Sequence, residues 1–278
     1  MMNIKVKKVL NVTVIYSALI VISAVFFFPC LWLILSSFSN TGSLYDFNGF
    51  FPQSYSLEAF HKLFTDTGLY NYPRWLANTF FVACMNCIFS TILIIGTAYV
   101  ISYFEFKARK PLMKTTLVLS MFPSFMGMTA VYLLMTQFHF VNNLWGLIVM
   151  YSCTAPLGYL VQKGFFDTIP QSIYEAAKID GATNARIFRT ITLPLARPII
   201  VYTALTSFTW PWSDFVLPKL LLIDKPNWTV AVGLLQLKQD EFARFAAGSV
   251  FIAIPIVLLY FLLVKNMVTG MTSGAVKG

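Results

Sequence analysis

The chain has 278 residues, of which 58% are hydrophobic, 17% aromatic and only 11% charged, against about a quarter charged in a soluble globular domain. With a mean hydropathy of +0.71, this composition excludes a soluble enzyme and marks a polytopic membrane protein. The net charge of +9 is not a nucleic-acid signal, because the basic residues gather on no single soluble face and follow membrane topology instead.

Lys5, Lys7 and Lys8 precede an apolar run over 9–38. That run is too long for the core of a signal peptide and carries no small-x-small cleavage site. It is expected to remain in the mature protein as the first membrane helix, with Pro29 a candidate kink. Residues 40–74 are polar and aromatic, with Asp46, Glu58 and Asp66, and read as an extramembrane loop with helical content over 57–64. A second span is expected over 75–104, followed by the basic patch Lys107, Arg109, Lys110 and Lys114. The third covers 112–138, with Pro123 and Gly127 breaking its regularity. A turn at 141–143 joins it to the fourth, 144–166, as an antiparallel hairpin. A polar stretch at 170–198 comes next. The fifth span runs over 199–222, interrupted at Trp210-Pro211-Trp212. A second polar loop occupies 224–244, the sixth span 245–268 and a tail 269–278.

Each span exceeds the roughly 20 residues a helix needs to cross the hydrocarbon core. Six spans place both termini on one side. Of the 20 lysines and arginines, 14 fall in segments on the N-terminal side and 6 on the other. The positive-inside rule therefore puts both termini and the 170–198 stretch in the cytoplasm. The expected class is all-α integral membrane: six transmembrane helices in one domain over 1–278, embedded in the bacterial cytoplasmic membrane.

Little in the chain could carry out chemistry. Cys30, Cys84, Cys87 and Cys153 all lie in apolar segments, and the Cys84–Cys87 pair has no His or acid beside it. Thiols acting as small hydrophobes are expected, not a redox or metal pair. His61 and His139 are isolated, so no metal site is expected. No G-x-x-x-x-G-K-[ST] occurs, and no paired-carboxylate, Ser-His-Asp or Cys-His constellation. No cofactor is expected on this chain. If it moves solute uphill, the energy comes from a partner or an ion gradient.

Asp214 is the acid nearest to membrane depth, where an ionisable residue is costly and by default functional. It can line a solute path, hydrogen-bond within the bundle, or sit just outside the membrane. Trp210 and Trp212 are candidates for the same path, or else interfacial anchors. Asn78, Asn86 and Gln137 read as interhelical hydrogen-bonding groups.

The stretch at 170–198 reads as an elbow of two short helices. Pro170 suits a helix start, residues 172–180 are good helix formers, and Gly181 can take the left-handed conformation that ends a helix. Thr183 is a candidate N-cap for a second helix with Ile187, Phe188 and Ile191 on one face, and Pro194 and Pro198 are expected to stop it. Glu175, Lys178, Asp180, Arg186 and Arg189 fall on the outer faces. Periodicity alone is equally compatible with an amphipathic connector resting on the membrane, Arg186 and Arg189 towards the headgroups.

The residues themselves are more specific. Glu175-Ala176-Ala177 is followed after three residues by Gly181 and after nine more by Ile191-x-Leu193-Pro194. This resembles the EAA loop of ABC-importer permeases, and Asp180-Gly181-Ala182 resembles the carbohydrate-importer branch. Four further features agree with that branch: Asn78 opening the second span, Tyr103 to Lys110 leaving it, Trp212-Ser213-Asp214-Phe215 in the fifth, and the Gly274 to Gly278 tail. Together they look most like the smaller maltose/maltodextrin permease subunit, the MalG kind. The resemblance implies a heterodimer with a second permease, two ATP-binding subunits that carry ATP and Mg, and an extracellular sugar-binding protein. It implies that Glu175, Ala176, Ala177, Asp180 and Gly181 couple the permease to the ATPase, and that the tail adds a second cytoplasmic contact. The competing function is a secondary sugar transporter driven by an ion gradient, with Asp214 as coupling acid. Such a transporter has no need of a docking elbow.

Overall fold

The computed structural model describes residues 4–40, 51–68, 70–237 and 241–275. Hydrocarbon offers the backbone no hydrogen-bond partner, so a spanning chain must satisfy itself, most simply as helix. The described residues are helical and carry no β-sheet, with one isolated bridge between Ser39 and Tyr55. In chain order the helices are α1 (Ile4–Ser37), α2 (Glu58–Thr65), α3 (Tyr72–Tyr103), α4 (Arg109–Ser120), α5 (Met128–Gln137), α6 (Leu144–Thr154) and α7 (Leu160–Phe166). There follow α8 (Gln171–Ile179), α9 (Asn184–Ile187), α10 (Leu193–Leu195), α11 (Arg197–Ser213), α12 (Val216–Leu221), α13 (Val230–Leu234) and α14 (Phe242–Ala275). Asp46 and the last three residues of the Gly274 to Gly278 tail lie outside the described residues.

Three stretches are long and apolar enough to cross a membrane as single helices: Val12–Ser37, Tyr72–Tyr103 and Phe242–Lys265. Counting each bent pair as one span raises the number to five. The middle of the chain is therefore more broken than the six continuous spans expected from hydropathy. The expected third span is two helices, α4 and α5, with 88° between the segments Arg109–Ser120 and Phe125–Gln137. Pro123 (φ −58°, ψ 126°) takes the chain out of the helical region there, and a 3₁₀ turn over Ser124–Gly127 restarts it. The expected fourth span divides into α6 and α7 around a 3₁₀ turn at Ala155–Gly158.

The fifth span breaks in a place the sequence did not indicate. The helix continues through Trp210-Pro211-Trp212 to Ser213, and the break comes at Asp214, whose backbone is extended (φ −74°, ψ 122°). Pro211 has no N–H for the carbonyl of Ser207, four residues back. Asn86 of α3 fills that gap, its Nδ2 donating to the Ser207 oxygen at 2.6 Å, and Ser90 donates in turn to Asn86 Oδ1 at 2.5 Å. A proline inside the bundle is tolerated because a neighbouring helix satisfies the carbonyl it orphans.

Two compact units are distinguished, Met1–Tyr70 with Leu234–Phe251, and Asn71–Gly233 with Ile252–Gly278. In the first, α1 displays Val25, Phe26 and Phe27 at 66–73% exposure, a strip suited to lipid rather than water. Phe60 meets Phe38 and Phe251 at 5.0 and 6.0 Å between ring centroids. Arg244, buried, closes the C-terminal end of α2, donating to the Lys62 carbonyl at 3.3 Å and pairing with Asp66 at 2.8 Å.

In the second unit, α3 packs along α11, α6 and α7. The start of α3 is pinned to the loop at 222–230. Trp75 Nε1 donates to the Lys225 carbonyl, Asn78 Nδ2 donates to those of Pro226 and Trp228, and Thr79 Oγ1 accepts from the Val230 amide. Asn78 thus binds a loop, not the helix-to-helix partner expected from the sequence. Asn142, left-handed at φ +59°, accepts on its side-chain oxygen from the amides of Ile223 and Asp224 and donates to the Asp224 carboxylate.

Replacing Asn86 by Ala should leave the Ser207 carbonyl buried and unpaired. The expected loss is about 1–3 kcal/mol of stability, read as a lower thermal midpoint of the detergent-solubilised protein. Ser90→Ala, which leaves the Asn86 donor in place, should cost less.

Candidate functional site

The elbow is assembled by local rules. Pro170 is the residue before α8, and its extended ψ of 131° leads the chain into that helix. On α8 the buried positions are Tyr174 and Ala177, three apart, while Glu175, Ala176, Lys178, Ile179 and Asp180 face outward. The helix ends as a Schellman motif. The Gly181 amide donates to the Lys178 carbonyl at 3.0 Å and the Ala182 amide to the Ala177 carbonyl at 2.9 Å, with Gly181 left-handed at φ +79°. Thr183 caps the second helix, its hydroxyl accepting from the Arg186 amide at 3.3 Å. Tyr174, Ala177 and Ile187 form one small core, with Tyr103, Ile169, Ala182 and Ile191 packed against it.

Two sequence expectations are corrected here. Ala177 does not share the outer face with Ala176. It is 8% exposed and turned into that core, because one residue along a helix is a 100° rotation. Of the alanine pair, only Ala176 offers close approach to another surface. Pro194 does not stop the second helix. A π turn at Phe188–Thr192 widens the backbone ahead of the proline, α10 carries it, and the chain turns only at Ala196, by 78° into α11.

The structure also shows an outer residue that sequence reasoning passed over. Ile179 is 86% exposed at the tip of the elbow, one turn beyond Glu175. An apolar residue in the outward register of an otherwise polar face was the available signal.

The elbow rests on the end of α3. Tyr103 stacks on Tyr99 at 5.1 Å and meets Tyr174 edge-on at 4.9 Å. Lys178 Nζ lies 5.1 Å above the Tyr103 ring, and the Tyr103 hydroxyl donates to Asn184 Oδ1 at 3.3 Å. Burial, with the neighbouring Tyr103, raises the Tyr174 phenol above its ordinary value against the opposing Thr192 hydrogen bond. Close by, Asp167 accepts from Ser102 at 2.6 Å and pairs with Lys163. Burial opposes ionisation of Asp167, but Lys163, Ser102 and Arg109 together hold its carboxyl below the usual range.

A second feature lies deeper in the same unit. A cavity of about 420 Å³ is lined by Asn86 and Ser90 of α3, Tyr151 and Thr154 of α6, and Thr206, Ser207 and Trp210 of α11, among others. The three α11 residues share one helical face. Trp210 is exposed, whereas Trp212 is buried at 2% and packs on Phe208 at 5.9 Å. Asp214 sits at the end of α11, where its carboxylate accepts from the Tyr151 hydroxyl at 2.7 Å and from the Val216 amide at 3.0 Å. Trp210 therefore lines the cavity, Asp214 reaches it through Tyr151, and Trp212 faces the packed interior. Among the described residues no group of His, Cys, Asp or Glu is arranged to hold a metal ion.

Apolar spanning helices joined to a charged two-helix elbow, with a cavity between α3, α6 and α11, make a construction suited to a transport subunit. The chain belongs to the family of binding-protein-dependent transport system inner membrane components, which matches residues 90–273. It is a multi-pass protein of the cytoplasmic membrane and a permease of the ABC-transporter class. It is 36% identical over 281 residues to the maltodextrin transport system permease protein MalD of Streptococcus pneumoniae, covering 99% of each chain. It is 35% identical to the maltodextrin permease MdxG of Bacillus subtilis over 100% of both, and 32% identical to the galactooligosaccharide permease GanQ of the same organism over 99% of both. In fold it is similar to a chain of a bacterial ABC transporter involved in alginate import. The TM-score is 0.77 at 20% identity, over 95% of this chain and 99% of that one.

Gly181→Val should open the elbow. No atom lies within 4 Å of the position a Cβ would take, so the penalty is conformational, and a β-branched residue at this φ is an outlier. Trypsin should cut after Lys178 and Arg186 several-fold faster than in the parent protein, with the thermal midpoint of the membrane core little changed. An unchanged cleavage rate would show that the turn tolerates a side chain.

Proposed function

We propose that the chain is one permease subunit of an ATP-driven importer that passes an oligosaccharide, of the maltodextrin type, into the cytoplasm. A second permease completes the pathway, two separate ATPase subunits bind ATP and Mg, and an extracellular binding protein delivers the sugar. The observation that carries this reading is the elbow. It is a short helix fixed by a Schellman turn, presenting Glu175, Ala176, Ile179 and Asp180 outward, with the spacing of a coupling loop. Such a helix can enter a cleft in an ATPase. Ala176 permits close approach, Ile179 supplies apolar area, and Glu175 offers a carboxylate to a basic partner. Full-length identity to two maltodextrin permeases supports the substrate class.

In this reading the chain is a single permease domain with six passages through the membrane. The α4–α5, α6–α7 and α11–α12 pairs each make one passage, and both termini and the elbow face the cytoplasm. The C-terminal tail adds a second cytoplasmic contact. The solute path runs past the 420 Å³ cavity, where Trp210 is a platform for a sugar face and Tyr151, Thr154, Thr206 and Ser90 supply hydroxyls. Asp214 acts by orienting the Tyr151 hydroxyl. Both of its oxygens are engaged within the bundle, which favours a positioning role over that of a coupling acid for ion-driven transport.

With no phosphate-binding motif, the purified chain should hydrolyse no ATP. Uptake by the reconstituted complex should be stopped by vanadate and indifferent to collapse of the proton gradient; the reverse pattern would favour the ion-driven alternative. Ile179→Asp should insert normally yet release the ATPase subunits. Glu175→Ala should weaken their binding by about 2–5 kcal/mol if its charge pair is buried on docking. Asp214→Asn should lower uptake with assembly intact.

A further inference from the structure

The elbow can act on the membrane helices only through what it touches. Covalently it continues through residues 167–170 into α7 and through Ala196 into α11. The third route is sideways, onto α3, and it runs through two neighbouring rings near the end of that helix, Tyr103 and Tyr99. Tyr103 is the last residue of the 32-residue α3, and both helices of the elbow rest on it. Tyr174 of α8 meets the ring edge-on, Lys178 of α8 lies over its face, and Asn184 of α9 accepts its hydroxyl proton. On the side towards α3, Tyr99 stacks parallel to it at an interplanar angle of 11° and in turn packs on Phe188, 4.6 Å away between centroids.

The packing around this post is uneven. A cavity of about 260 Å³ lies between the end of α3, the 166–170 connector and the first turn of α8, bordered by Ser102, Tyr103, Asp167, Pro170, Gln171 and Tyr174 among others. The first turn of α8 is therefore not packed solidly onto α3, and the sideways contact lies beyond it, at Tyr103 against Tyr174 and Lys178 and at Tyr99 against Phe188. Packed side chains transmit displacement, and a void does not. The Asp167–Ser102 hydrogen bond is the other tie from this connector to α3.

We propose that Tyr103 is the bearing through which the elbow drives α3: a positioning residue that converts movement of a docked ATPase into movement of the helix lining the solute path. The chain of contacts is continuous. α3 carries Tyr103 at its cytoplasmic end and, further along, Ser90 and Asn86 on the wall of the 420 Å³ cavity. None of the outward docking residues contributes to the bearing except Lys178, whose charge sits over the ring. The proposal rests on the coupling role given to the elbow, and it separates two functions within it: the outer face holds the ATPase, and Tyr103 passes on the stroke.

The test uses the chain assembled with its partner permease, ATPase subunits and binding protein in lipid vesicles, with maltotriose as the probe sugar. Three quantities are read for each variant: ATPase retained on purification, ATP hydrolysis stimulated by loaded binding protein, and maltotriose imported per ATP hydrolysed. Tyr103→Ala removes the stacking, the edge contact and the cation–π contact together. It should keep the ATPase bound while sugar moved per ATP falls about tenfold. Tyr103→Phe keeps the ring and loses only the bond to Asn184, and should stay within about threefold of the parent. Gly181→Val serves as the control for the coupling reading itself. If Tyr103→Ala imports normally while Gly181→Val sheds the ATPase, the bearing is wrong and the elbow reading stands. If Tyr103→Ala sheds the ATPase as well, the residue only shapes the elbow and the proposal fails. If Gly181→Val binds the ATPase and transports normally, the coupling reading falls and the bearing with it. Should Tyr103→Ala fail to assemble, Tyr103→Leu, which retains bulk without ring or hydroxyl, is read by the same criteria.

Discussion

The structure depends on one constraint: inside hydrocarbon, every backbone amide and carbonyl must find its partner within the protein. That condition makes the chain helical, and it sets the terms on which prolines are admitted. Pro211 is carried inside α11 because Asn86 donates to the carbonyl the proline abandons. At Pro123 the chain leaves the helical region instead, the helix breaks, and the segments on either side stand at 88°. The bundle is thus a set of helices interrupted at Pro123, at the 155–158 turn, at Ala196 and at Asp214, and the cavity lies among α3, α6 and α11. Asn86 satisfies the buried carbonyl of Ser207, Ser90, four residues on along the same side of α3, satisfies Asn86, and the same side chains line the wall.

In the proposed topology the elbow lies outside the hydrocarbon, and there the terms change. A left-handed glycine, a threonine cap and six charged residues are compatible with water. They give the 170–198 segment a rigid shape that its small buried core alone would not. That core has three buried members, Tyr174, Ala177 and Ile187, so hydrogen-bonded turns and the support of Tyr103 carry much of the definition. A stiff handle with an outward polar face and one exposed isoleucine is suited to being gripped. Its proposed role follows from mechanics: force applied outside the membrane reaches the solute path only along packed contacts, and those contacts lead to α3.

The cavity and the elbow are joined by α3. Its first residues are fastened to the 222–230 loop through Trp75, Asn78 and Thr79, and its last residue supports the elbow. Between these ends it runs unbroken for 32 residues and contains no proline beyond its first turn. A continuous helix is the element in this unit that can carry displacement along its whole length, while α6, α7, α11 and α12 are separated by turns that can absorb it.

The amino-acid sequence by itself determined the features that are local or compositional. Membrane residence followed from 11% charged residues, and the outline of the elbow from the Glu175 to Gly181 spacing. The Gly181 turn and the Thr183 cap, in the positions expected, involve residues within a few places of each other, so their chemistry is written in adjacent letters. What only the tertiary structure decided was direction. In a soluble helix the polar stripe marks the outer face, but a membrane helix is apolar towards lipid and towards protein alike, so periodicity loses its meaning. Hence Trp210 and Trp212, two residues apart, could not be sorted in advance into one on the cavity and one in the interior. The placement of Ala177 in the elbow core, the Asn86 bond to a carbonyl 121 residues away and the seating of two elbow helices on Tyr103 are likewise contacts between distant segments. They exist because packing brings together groups that no local pattern relates.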